Sequence, residues 1–163
     1  DSPMSHNRRG NEKMFYIIHA LLGSLIGQNL NSVFLIIVLS LAGHFLLDMI
    51  PHWDGYFNNK LFHISGRAVV RKSTAILQFI DFLFAVLVII ILYFEFYSKL
   101  MVLGALISIF PDIVKVAYST PLRKSKSYIR LLNFHSRIQK DVSWKVGLLT
   151  QLIMLILLLK ILF

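Results

Sequence analysis

Histidine and aspartate recur within the apolar runs of this chain, and together they have the chemistry of a divalent-metal site. His44 and Asp48 stand four residues apart in Ala42-Gly-His-Phe-Leu-Leu-Asp-Met-Ile-Pro-His-Trp-Asp54, at the end of an apolar run. At i and i+4 they share one helix face, so both can point at one ion or at each other. Pro51 stops that helix, because the residue before a proline avoids the α region. His52 and Asp54 are released just beyond it. His19 lies near the start of the first run and Asp81 near the start of the third. Asp112 follows Pro111 toward the end of the fourth. An Asp in lipid costs about 2.5–3.5 kcal/mol on insertion scales, so groups like these must be paired or coordinated.

The elements that would position them follow from composition. Of the 163 residues, 56% are hydrophobic and only 15% charged, less charge than a soluble domain carries. The apolar excess falls in runs 14–30, 33–51, 75–97, 100–117 and 143–163. A bilayer core needs a run of about 20 residues, so the pattern predicts an all-α, polytopic integral membrane bundle with about five transmembrane segments. The first run is the shortest. It either spans obliquely or forms a shallow hairpin with the second. Residues 14–163 read as one transmembrane domain. Residues 1–13 read as a polar tail, either disordered or left by cloning.

The net charge of +9 does not call for nucleic acid. If the runs alternate across the bilayer, all of the 17 Lys and Arg except Lys99 and Lys160 fall on one side. Positive-inside asymmetry accounts for that split. It predicts a cytoplasmic N-terminus and an external C-terminus, with Trp53 and Trp144 as interfacial aromatics at inner ends. The basic loops also suit anionic lipid head groups. With no cysteine, disulfides and thiolate sites are excluded.

On this topology His19, His44, Asp48, Asp81 and Asp112 share one depth near the cytoplasmic face. A sixth group comes from Ser127 to Lys140. There Tyr128, Leu131, Leu132, His135 and Ile138 form one stripe at helical spacing, opposite Lys126, Arg130 and Arg137. That is an amphipathic helix lying in the interface, with His135 turned toward the membrane. Each residue alone has a plainer reading. His19 could bond a backbone carbonyl, Asp112 could pair with Lys115, and Asp81 could pair with the basic 60–72 loop. His63 reads as a loop residue. The convergence of three His and three Asp points to metal.

Mixed imidazole and carboxylate ligands suit a divalent metal, zinc first, with manganese or iron as alternatives. Six candidates exceed the three protein ligands of one catalytic zinc. That leaves one ion with supporting partners or two ions bridged by carboxylates. The expected chemistry is hydrolysis of a lipid-linked ester or phosphoester, with His52, an exposed imidazole, as general acid or base. Two other classes stand beside it. One is a metal-binding or structural membrane subunit without catalysis. The other is a metal or proton transporter, disfavoured because Ala85 to Phe94 and Leu100 to Ile107 carry no ionisable group to line a path.

His19 in an opening His-Ala-Leu-Leu-Gly run, Gly43-His44-x-x-x-Asp48 and Pro111-Asp112 resemble the sparse motifs of the bacterial membrane-bound metal-dependent hydrolases of the YdjM-like type. Phe134-His135-Ser-Arg-Ile138-Gln139 resembles a segment of small polytopic bacterial membrane proteins. The Pro-Asp pair here follows the His-x-x-x-Asp helix, whereas in that family it precedes it. The resemblance implies a metal-dependent hydrolase of the bacterial inner membrane. H-E-x-x-H, G-x-S-x-G and P-loop signatures are absent.

Overall fold

The computed structural model describes residues 15–53, 72–116, 125–138 and 142–163. Within them lie six helices: α1 (Tyr16–Asn29), α2 (Val33–Asp48), α3 (Lys72–Phe96), α4 (Lys99–Val116), α5 (Lys126–Ile138) and α6 (Trp144–Leu162). The polar tail, Asp54, the basic loop with His63, the Lys115 side chain and the end of the amphipathic segment at Gln139 and Lys140 lie outside the described residues.

The expectation of about five membrane spans is corrected. Among the described residues, two helices are long and apolar enough to cross a membrane, Ile76–Phe96 within α3 and Trp144–Leu162. The reason is length and interruption. The 14 residues of α1 and 16 of α2 rise only about 21 and 24 Å at 1.5 Å per residue, short of a ~30 Å core. The 18-residue α4 contains Pro111 and Asp112.

Turn chemistry sets the antiparallel neighbours. Ser32 caps α2, its Oγ accepting from Leu35 N at 3.4 Å. Between α3 and α4 the chain reverses over Tyr97 and Ser98. Tyr97 takes φ 48°, the left-handed conformation that ends helices. Ser98 Oγ then accepts from Met101 N at 3.3 Å.

The central helix is α1, packed against α2, α3, α4 and α6. Its closest partner is α4. A Cβ at Gly23 would come within 2.8 Å of Ala105 Cα, and one at Gly104 within 2.9 Å of the Gly23 carbonyl carbon. Gly23 and Gly27 form a Gly-x-x-x-Gly face, and such faces let helices in apolar surroundings approach backbone to backbone. Around this seam lie two apolar clusters, one including Ile18, Leu21, Met101 and Leu158, the other Tyr16, Ala20, Ala85, Ala105 and Ile109.

The N-terminus of α1 lies inside the bundle, so its orphan N–H groups need partners. Two neighbouring helices supply them. Asp81 of α3 accepts from Tyr16 N at 2.5 Å and from Ile17 N at 3.5 Å. Gln151 of α6 accepts from Phe15 N at 3.2 Å through Oε1. The Gln151 amide also donates to the Trp53 carbonyl, tying the segment after α2 to the same point. Asp81 stands nine residues into α3 and Gln151 seven into α6, about 13 and 10 Å below those helix starts. The ends of α1 and α2 are therefore recessed.

The outside of the bundle is apolar. Phe34 (71% exposed), Leu46, Phe79, Phe84, Phe94 and Leu149 all face outward, while His19, His44, Asp48, Asp112 and Gln151 are buried.

Candidate metal centre

Four elements deliver the polar groups to one point. α1 contributes His19, three residues into the helix from Tyr16. The last turn and a half of α2 carries His44 and Asp48. Asp112 comes from α4, directly after Pro111. His135 comes from α5, which lies across the ends of α2 and α4. One end of α5 is fixed by Tyr128, whose hydroxyl donates to the Val114 carbonyl at 3.0 Å. The other is fixed by Phe134 and His135 against Phe45, with ring centroids 5.3 and 5.4 Å apart. The stripe expected from helical spacing faces inward: Tyr128 and His135 are buried, Leu131, Leu132 and Ile138 half-buried, and Lys126, Arg130 and Arg137 exposed.

His44, Asp48, Asp112 and His135 form a buried group whose ligand atoms all lie within 4.8 Å of one another, and it could hold a metal ion. His44 Nε2 is 3.4 Å from both Asp48 Oδ2 and His135 Nε2. His135 Nε2 bonds Asp48 Oδ2 directly and stands 3.9 Å from Asp112 Oδ1. Atoms bound to one ion at ~2.1 Å sit roughly 3–4 Å from each other, so these separations are of ligand size. Two carboxylates this close and this buried repel unless positive charge lies between them. Neutral imidazole and carboxylate are the donor set that zinc, manganese and iron share.

His19 is wholly buried, and its Nε2 lies 3.3 Å from Asp48 Oδ1 and 3.8 Å from Asp112 Oδ2. Its ring stacks on that of His44 with centroids 4.2 Å apart. Asp81, an expected ligand or supporting carboxylate, is placed elsewhere, with both oxygens on the first amides of α1. It positions His19 by anchoring the start of that helix.

The expectation of an exposed His52 is corrected. Its side chain is fully buried, and Nδ1 donates to the Ile50 carbonyl at 2.7 Å. The cause is the chain after Pro51, which folds back so that Trp53 lies against Gly147 of α6. Trp53 is accordingly half-buried within the bundle, and Trp144 is 48% exposed at the start of α6. The bond to Ile50 fixes the proton on Nδ1 and leaves Nε2 as the basic nitrogen. His52 is not part of the four-residue group.

Sequence reasoning missed Gln151 as the clamp between Phe15 and Trp53. It also missed the Gly23–Gly27 face that brings α1 against α4. The Gly-x-x-x-Gly spacing was the available signal for the second. For the first there was only an isolated glutamine in an apolar run. No protein-family model, curated protein or solved structure matches the chain, so the geometry of the site carries the functional argument.

Proposed function

We propose that this chain is an integral membrane, metal-dependent hydrolase acting on a lipid-linked ester or phosphoester at the cytoplasmic face. One observation carries the reading: buried imidazoles and carboxylates converge beneath recessed helix ends, inside a bundle whose exterior is apolar. Buried charge with exposed Phe, Leu and Ile is the arrangement suited to a lipid solvent. In this reading α3 and α6 cross the bilayer, and α1, α2 and α4 fill the space between them. The positive-inside rule orients the basic loops to the cytoplasm. The resemblance to YdjM-like hydrolases agrees with a bacterial inner-membrane setting.

A divalent cation at such a site supplies Lewis acidity and a water nucleophile near neutral pH. The chain's own residues do the rest. His44, Asp48, Asp112 and His135 are the ligands, and zinc is the favoured ion. The α5 helix closes the site against bulk water, and its exposed Lys126, Arg130 and Arg137 suit anionic head groups at the surface. His52, with its proton fixed on Nδ1, is the candidate to move protons. The recessed ends of α1 and α2 leave the cluster at a depth that a head-group ester of a lipid can reach from one leaflet.

The test is elemental analysis of detergent-purified protein, followed by assay in phospholipid vesicles with and without chelator. Bound zinc, manganese or iron, with metal-dependent release of a head group or acyl chain, supports the reading. A protein that purifies empty and takes up none of these ions would instead be a scaffold whose polar cluster fixes helix packing.

A further inference from the structure

The five side chains at this centre are arranged in two sets that share the carboxylates. Asp48 presents Oδ1 to His19 at 3.3 Å and Oδ2 to His44 at 3.4 Å and to His135. Asp112 presents Oδ2 to His19 at 3.8 Å and Oδ1 to His135 at 3.9 Å. Each carboxylate thus turns one oxygen to His19 and the other toward the His44–His135 side. Both ring nitrogens of His19 lack a hydrogen-bond partner among the described residues, although the side chain is fully buried. An imidazole in that position is costly unless something binds it. His19 also falls outside the compact group formed by the other four, although its ring stacks on His44.

We infer that the centre is built for two divalent cations, bridged by Asp48 and Asp112. His19 with Asp48 Oδ1 and Asp112 Oδ2 forms one position. His44 and His135 with Asp48 Oδ2 and Asp112 Oδ1 form the other. The split of each carboxylate's two oxygens between His19 and the His44–His135 side favours the division. Five protein ligands exceed the three or four that one zinc ion takes, whereas three and four donors fill two positions. A carboxylate bridging through its two oxygens spans ions about 3.5–4 Å apart, the separation of two-metal phosphoesterases. The inference rests on the metal reading above.

The experiment titrates Mn²⁺ into the full chain in detergent micelles and follows free and bound ion by electron paramagnetic resonance. The expected result is two Mn²⁺ per chain with a spin-coupled signal at saturation. His19→Ala should bind one Mn²⁺ with an uncoupled signal and keep the helical circular dichroism of the parent. Saturation of the parent at one ion, uncoupled, would overturn the two-ion centre and leave the single-metal reading standing. Two coupled ions in His19→Ala would overturn the role given to His19. An absence of Mn²⁺ and Zn²⁺ binding in the parent would overturn both readings together. The parent titration decides the stoichiometry even if the variant fails to fold.

Discussion

The two ends of the bundle are built from different materials. At the end where α1 begins and α2 and α4 finish lie His19, His44, Asp48, Asp81, Asp112, His135 and Gln151, all buried. At the opposite end α3, α4 and α6 meet through Leu92, Met101, Leu158 and Leu162, and Phe96 packs on Phe163 with centroids 5.7 Å apart. The apolar end needs no specific partners, because hydrophobic contact is non-directional. The polar end needs every group satisfied, so it specifies the helix register. Among the described residues, the buried ionisable side chains lie at one end only.

The largest effect should follow from removing one of the candidate ligands at the polar end. Asp48→Ala and Asp112→Ala, which remove the carboxylates common to both proposed positions, should each lose most bound metal by elemental analysis. The double variant should lose little more, since residues serving one centre are non-additive. Full metal retention by both single variants would break the comparison at its first term and favour a purely structural network.

Next comes the seam that connects the ends. Gly104→Val places a branched side chain where α1 and α4 are in backbone contact. Overpacking of this kind costs typically about 1–3 kcal/mol, and here the displaced atoms are backbone. The helices must separate, moving His19 away from Asp112. Lower thermal stability in micelles together with weaker metal binding is expected. A stable variant with unchanged metal affinity would mean that the seam does not set the site.

Much of this was legible in the sequence. His44 and Asp48 were readable because a helix imposes i, i+4 coincidence. His135 was readable because the Tyr128–Ile138 stripe keeps one face at a fixed period, and that face is the one turned inward. What the pattern could not show was how two short helices are accommodated. An apolar run does not announce that it begins inside a bundle, so Asp81 looked like a ligand when its oxygens serve the amides of α1. His52 looked exposed because a residue after a helix-ending proline usually is. Its burial depends on Trp53 meeting α6, a contact nearly a hundred residues away along the chain.

That clamp gives a smaller, sharper test. Gln151→Leu keeps the volume and removes both hydrogen bonds, leaving Phe15 N and the Trp53 carbonyl without this partner. Buried groups deprived in this way cost about 1–3 kcal/mol. Thermal unfolding should shift down while the ligands of α2, α4 and α5 retain metal. Loss of metal with unaltered stability would place Gln151 at the site itself.

The smallest effect belongs to the outward surface away from the cluster. Leu87 is 50% exposed on α3, six residues beyond Asp81 and on the apolar exterior. In lipid its surroundings are as apolar as its own side chain, so there is little transfer energy to lose on truncation. It makes no polar contact, and nothing at the cluster depends on its shape. Leu87→Val should therefore change unfolding free energy by no more than about 0.5 kcal/mol and leave metal content unaltered. The paired measurement is what sharpens the comparison. If Leu87→Val released metal, packing at the apolar exterior would be coupled to the ligand geometry. The division into a specifying end and a space-filling remainder would then fail at the residue where it predicts the least.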